Sequence, residues 1–287
     1  MSLIRRTLKL ATLSPNKATR FTPLLSTRTL KRYNATAVDK KPKLIDLSRE
    51  LYHRSPAHPF HPPVCSTAPS SLYELQTLII ISVTPWDTHQ PKTAGNTTLR
   101  SASYFLSMSD HAGTHVDAPK HFDPTPGALS IDKMPLENFY TSAICLDLSA
   151  VELKATISVD EMSAALEKSG QDIQDGDTVL IYMAFNKRVP FDDPRWQHDF
   201  PGLSLEAVHW LADKGCKIFG VEAISPAPEG EPNFQAHNAC GERGITHIEG
   251  LDKLEEVVGK GRFRFMGFPL KIREGSGGPM RAVAMFE

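Results

Sequence analysis

TVLIYMA, residues 178–184, is apolar at nearly every position and carries Thr, Val and Ile early in the run. A strand with one wet face alternates apolar and polar residues. A run without alternation needs cover on both faces, as in a sheet with parallel character. Similar runs lie on either side: Ser142–Leu148 (SAICLDL) upstream and Lys217–Ala223 (KIFGVEA) downstream, with Thr77–Val83, Phe263–Leu270 and Arg281–Phe286 further out. Between them, Ser158 can cap a helix over Val159–Lys168, where Met162, Ala165 and Leu166 recur at helical spacing. Ser204 can cap a second over Leu205–Lys214, with Val208, Leu211 and Ala212 inward and Gly215 as its stop. Leu251–Val258 is a third, shorter candidate. Strands interleaved with a few helices predict a single mixed α/β domain rather than a regular βαβ repeat.

The domain is read as residues 42–287. Residues 1–38 hold eight Lys/Arg, no Asp or Glu, and ten Ser/Thr, so the rest carries 24 basic against 33 acidic residues. A basic, hydroxyl-rich, acid-free leader over residues 1–41 has the composition of a mitochondrial transit peptide, with cytoplasmic residence the alternative. The acidic body has no basic stripe, which argues against nucleic acid. No stretch approaches the roughly 20 apolar residues of a membrane span. The four cysteines, Cys65, Cys145, Cys216 and Cys240, form no CxxC pair and match neither a zinc ribbon nor a disulfide framework. The proline-rich stretch His53–Pro69 reads as an ordered surface loop, with His53, His58 and His61 solvated.

The chemistry concentrates in HAGTHVDAPKH, residues 111–121. Gly113 and Pro119 exclude a helix. In an extended strand His111 and His115 would stand roughly 13 Å apart, so they can share an ion only if the chain bends, and Gly113 is where it can. His115 and Asp117, two apart, share a face at about 6.6 Å. Imidazole and carboxylate are ligands that suit Zn²⁺ or Mn²⁺ and leave a position for water. Asp117 has two oxygens and could bridge two ions. A second cluster, His237, His247 and Glu249, is weaker on sequence alone: His237 could cap a helix, and Glu249 could be a surface acid. His247, read as opposite to Glu249 in strand parity, is expected to point away.

HAGTHVDAPKHF resembles the His-x-Gly-Thr-His-x-Asp-x-Pro-x-His signature of the cyclase family, which includes bacterial-type kynurenine formamidases and isatin hydrolases. LIDLSREL near residue 44, DGDTVLI at 175–181, PGLSLEAVHWLADKG at 201–215, AH followed by IEGL, and GPMRAVA near the end resemble family blocks in the same order. The resemblance implies a swivelling β/β/α domain and a homodimer. It implies His111, His115 and Asp117 as ligands of one metal, with Asp117 bridging to a second ion held by His237 and Glu249. His121 would stay unligated as general acid/base, passing a proton from a metal-activated water to a leaving nitrogen. The chain lacks G-x-S-x-G, so no serine nucleophile competes.

The departures from the family concern substrate. VEAISPAP (221–228) replaces a common Asp-x-x-Ser, MAFNKR (183–188) replaces a Thr-Gly pair, and GGPMRA replaces a more usual Gly-Ser-Pro. These loops are expected to border the pocket, and Trp86 is a candidate aromatic wall for a planar substrate. The expectation is a metal-dependent hydrolase of a C–N amide bond in a small aromatic molecule, with N-formylkynurenine the first substrate to test. An isatin-type lactam or lactone hydrolase is the alternative, and a silent binding protein on the same fold a third reading.

Overall fold

The TVLIYMA run becomes a central strand of a nine-stranded mixed sheet. The computed structural model describes residues 41–52, 55–58 and 82–287. In chain order these form β1 (Lys43–Asp46), the hairpin β2 (Ser82–Ala94) and β3 (Thr97–Ser107), β4 (His115–Asp117), the helical turn α1 (Pro119–Phe122), β5 (Tyr140–Asp147), β6 (Thr156–Ile157) and α2 (Val159–Ser169). There follow β7 (Thr178–Tyr182), α3 (Phe185–Arg188), β8 (Gly202–Leu203), α4 (Leu205–Asp213), β9 (Ile218–Val221), α5 (Glu231–Arg243), β10 (Thr246–Glu249), β11 (Phe263–Met266), β12 (Gly277–Pro279) and β13 (Val283–Phe286). The sheet runs β1-β13-β11-β5-β7-β9-β10-β4-β12. Its centre, β5 to β10, is parallel. The flanking pairs are antiparallel.

Two apolar layers account for the unbroken runs. Ile144, Leu146, Val179, Ile181, Phe219 and Val221 face the layer that includes Met162 of α2, Val208 and Leu211 of α4, and Ala236 and Cys240 of α5. Their neighbours Ala143, Cys145, Leu180, Ile218 and Ile248 face a second layer with Phe265, Ala284 and Leu251. Each central strand is therefore buried on both sides. The α2 cap is reciprocal: Ser158 Oγ accepts from the Glu161 amide while Glu161 accepts from the Ser158 amide at 2.8 Å.

Three readings need correction. Leu251–Val258 is no helix; it holds only a 3₁₀ turn over Leu254–Glu256, because its apolar residues Leu251, Leu254 and Val257 dock into the second layer from an irregular segment. The longest helix among the described residues, α5, was not expected, since Pro232, Gly241 and a polar composition hide its periodicity. His237 lies in the interior of α5 and caps nothing. Of the Thr77–Val83 strand, only Ser82 and Val83 fall among the described residues, where they open β2. The leader of residues 1–41 lies outside them apart from its last residue. No described helix is long and apolar enough to cross a membrane.

Candidate metal centre

The site grows from the pairing of two short strands. Gly113, at φ +63°, makes the bend that separates His111 from β4. It brings the His111 and His115 rings to 5.1 Å between centroids. On β4, His115 and Asp117 share the face turned away from Val116, which is packed in the second apolar layer. Antiparallel pairing sets Glu249 of β10 opposite His115 and Ile248 opposite Val116, so the next step sets His247 beside Asp117. Against the expectation that Pro119 excludes a helix, it opens α1 at the first helical position, where its missing N–H costs nothing, and that turn returns His121 to the same place. Nearly two turns into α5, His237 reaches the same place.

These side chains converge on Asp117, which is buried. Its Oδ1 is 2.8 Å from His111 Nδ1 and 3.5 Å from His115 Nε2. Its Oδ2 is 3.2 Å from His247 Nε2 and 3.7 Å from both His121 Nε2 and His237 Nε2. Glu249 receives His115 Nε2 at 3.2 Å on Oε2 and His247 Nε2 at 3.2 Å on Oε1. Among the described residues, neither Asp117 oxygen nor His115 Nε2 finds a well-directed hydrogen bond despite these short separations. Within the cluster His247 Nε2 is in hydrogen-bonding position to Glu249 Oε1 at 3.2 Å, whereas close donor atoms without directed bonds, as around Asp117, are what ligands around a cation show.

The remaining ring nitrogens are held from behind. His115 Nδ1 donates to the Gly113 carbonyl at 3.0 Å and His237 Nδ1 to the Asn233 carbonyl at 2.8 Å, which leaves each Nε2 lone pair facing the site. Ser276 Oγ donates to Asp110 Oδ2 at 3.0 Å and accepts from His111 Nε2 at 2.9 Å, which leaves Nδ1 of His111 facing Asp117. Asp110 also accepts from the Ser276 and Gly277 amides at 2.8 and 3.1 Å. Back-side bonds of this kind fix the tautomer of metal-binding histidines.

The electrostatics agree. Burial alone would raise the Asp117 carboxyl, but the facing His111 and His247 hold it well below the usual carboxylate range. Burial would lower His115, yet Asp117 and Glu249 push it up to about 10, and Asp117 likewise raises buried His247. His121 goes the other way: burial, then His111 and His237, press it down to about 4 against the pull of Asp117. The carboxylates thus set up a strongly negative centre among neutral or cation-like rings. Imidazole and carboxylate donors in such a field fit a divalent ion. Two donor groups are tight enough for one, Asp117, His237, His247 and Glu249 in one case and His111, Asp117 and His121 in the other. His115 lies beside both carboxylates without belonging to either group.

The cluster forms the floor of a cavity of about 760 Å³, within the range of small-molecule sites. Phe122, Pro124 and Phe234 supply apolar wall, and Lys120 and Asn238 supply polar atoms. Ser225, from the VEAISPAP loop, lines it and donates to Asn233 at 2.7 Å. Among the described residues, none of 183–188 lines this cavity; Glu222 instead accepts from the Met183 and Phe185 amides at 2.6 and 3.2 Å, beneath the floor. Trp86 falls within β2, and its side chain lies outside the described residues.

Two histidine readings are overturned. Positions 247 and 249 are two apart on one strand, so they share a face, and His247 is fully buried against both carboxylates. His58 is not solvated. It is half-buried, lines the cavity, and is lowered by burial while feeling Glu249 and Asp117. Sequence reasoning also missed Asp110 and Ser276. The first adjoins the histidine motif and could have been asked for; the second is 166 residues away and gives no local signal.

The Cyclase family model ("Putative cyclase") matches residues 45–228. The chain belongs to the cyclase family. Its curated relatives include the kynurenine formamidase of Erythrobacter litoralis, 30% identical over 178 residues, which are 62% of this chain and 74% of that protein. The kynurenine formamidase of Salinibacter ruber is 32% identical over 178 residues, 62% and 77% of the two chains. Among solved structures, an isatin hydrolase bound to the product analogue thioisatinate matches this cyclase-family fold with a TM-score of 0.65 at 21% identity, over 85% of this chain and 92% of the other. Isatin hydrolase A from Ralstonia solanacearum gives 0.62 at 25% identity, over 86% and 92%. The swivelling β/β/α expectation holds. The protein is a hydrolase of this family with a His/Asp/Glu cluster able to bind a metal ion.

Proposed function

We propose that the protein hydrolyses the C–N amide bond of a small aromatic formamide, with N-formylkynurenine as its reference substrate. The observation that carries this reading is a division among the histidines. The His111 and His115 side chains are 3% and 2% exposed in the floor, whereas the His121 side chain is 27% accessible from the cavity. A group that exchanges protons with a bound substrate must be reachable, and groups that hold an ion must be fixed.

His111, His115, Asp117, His237 and Glu249 would hold one or two divalent ions, with Asp117 between them. The donor set suits Zn²⁺ and Mn²⁺ alike. When bound, such an ion supplies Lewis acidity, lowering the pKa of water and polarising a carbonyl. His121, neutral because burial disfavours its charged form, takes the proton from the attacking water. It returns that proton to the departing nitrogen as the C–N bond breaks and the new C–O bond stands. Phe122 and Phe234 offer faces for the aromatic ring, while Lys120 on the cavity lining is held by Glu274 at 2.8 Å. The names of the curated relatives support this substrate class.

A second reading, opening of an isatin-type lactam, is favoured by the 25% identity to the Ralstonia solanacearum enzyme. The reading also includes a homodimer and mitochondrial residence. Protein loaded with Zn²⁺ or Mn²⁺ should turn over formylkynurenine faster than isatin, and the reverse order selects the second reading. Absence of turnover on both refutes each. His121→Ala should lose at least a hundredfold in kcat while keeping its metal; loss of metal would make His121 a ligand instead of the proton carrier.

A further inference from the structure

We propose that His247 is a fourth protein ligand of the second ion, beside Asp117, His237 and Glu249, and closes that position to water. The resemblance assigns three side chains there and leaves His247 out. The inference rests on the metal-hydrolase reading above and adds a residue and a division of labour to it.

Four observations point the same way. His247 is the cross-strand neighbour of Asp117 by the register of β10 on β4, and lies two residues from Glu249 on the same face. Its Nε2 is 3.2 Å from an oxygen of each. With His237 Nε2 at 3.7 Å from the same Asp117 oxygen, the measured edges are 3.2, 3.2 and 3.7 Å. Bonds of about 2.0–2.2 Å to nitrogen and oxygen, set tetrahedrally, give donor–donor edges of about 3.3–3.6 Å. Three of the six edges thus stand close to the separations a four-coordinate ion requires, and all four donors lie within 4.8 Å of one another.

The ring is also held as a ligand would be. Phe122 stacks on it at 6.0 Å and 23°, and Phe219 at 5.5 Å and 28°. Its Nδ1 faces Cys240 Sγ at 3.6 Å, which directs Nε2 to the carboxylates. His247 is fully buried with Nε2 3.2 Å from two buried acids, in hydrogen-bonding position to Glu249 Oε1, and ligation of an ion would offset the cost of burying all three polar groups.

Four protein side chains complete a tetrahedral set, the arrangement of structural sites, whereas catalytic sites keep a position open. His247 therefore assigns the two positions different work. The position beside His121 and the cavity serves hydrolysis, and the position at His247 anchors Asp117.

The test uses the full chain stripped with a chelator and reloaded with Zn²⁺ or Co²⁺. Metal per chain is measured after desalting, affinity by competition with a chromophoric chelator, and coordination by the visible absorption of Co²⁺, strong for four-coordinate and weak for six-coordinate sites. Wild type should hold two ions. His247→Phe, which keeps a ring between Phe122 and Phe219, and His247→Gln, which keeps a polar group, should each weaken one ion at least a hundredfold and change its Co²⁺ spectrum, leaving the other bound. In the wild type itself, proton NMR of the Co²⁺ form should show hyperfine-shifted ring N–H signals from four histidines, His111, His115, His237 and His247. Three such signals, wild-type affinity in both variants, or weaker affinity with an unchanged spectrum would each overturn the proposal and leave the hydrolase reading standing. Wild type that binds no ion at all would remove both.

Discussion

Gly277→Ala tests whether the floor of the site is preorganised, because it alters no donor. Gly277 sits on β12 opposite Asp117, and its backbone is not in the left-handed region, so alanine adds little backbone strain. A Cβ there would stand 2.7 Å from His111 Cε1 and 2.9 Å from both ring nitrogens. To regain ordinary van der Waals contact the ring must withdraw by roughly 0.7 Å. It cannot do so freely, since Ser276 Oγ grips Nε2 at 2.9 Å from one side and Asp117 lies 2.8 Å from Nδ1 on the other. Binding and catalytic groups need placement within about 0.5 Å, so the substitution exceeds the tolerance by itself. Disturbing the support of a ligand typically weakens metal affinity 10–100-fold, and that is the loss expected here. Competition with a chromophoric chelator reads it directly, and a thermal unfolding curve checks that the sheet survives. Wild-type affinity and turnover in a folded Gly277→Ala protein would show that His111 has slack, and would refute the packing argument.

Asp117→Asn should empty both metal positions, since each converging ring loses its charged partner; elemental analysis that finds one equivalent retained would contradict bridging. Glu222 offers a test of burial away from the ligands. Burial raises its carboxyl to about 7 against the opposing amide bonds, so between 4.5 and about 7 the folded chain keeps a proton that the unfolded chain releases. Stability then falls as pH rises through that window, by about 3 kcal/mol in full. Urea unfolding at pH 5 and 8 should show the slope, and Glu222→Gln should flatten it; equal slopes would refute the assignment. A fusion of residues 1–41 to a reporter should enter mitochondria, and a cytosolic reporter would defeat that reading.

Much of the frame was legible because central strands must be apolar on both faces and capped helices announce their starts, as TVLIYMA and Ser158 do. The bend at Gly113 was legible too, from strand distances alone. The sequence hid what depends on pairing partners far apart in the chain. Helix α5 carries a cluster ligand on a face whose buried residues include Asn233, Ala236 and Cys240, so it lacks an apolar stripe. His58 belongs to the cavity only through the path of its loop. His247 was a matter of counting: two residues apart means one face, and the opposite parity assigned to it was an error of phase.

The placement of β12 has a consequence for how the protein is made. The motif residues 111–121 leave the ribosome well before the strand beside them, Gly277–Pro279, and before Ser276, whose hydroxyl orients His111 from 165 residues further on. Domains are synthesised from the N-terminus at tens of residues in a few seconds, and non-local pairings form late. The nascent chain therefore carries its histidines half-assembled until β12 has been made. Loading with metal therefore waits on β12, and a product cut short of that strand would have the ligands without the grip that aligns them.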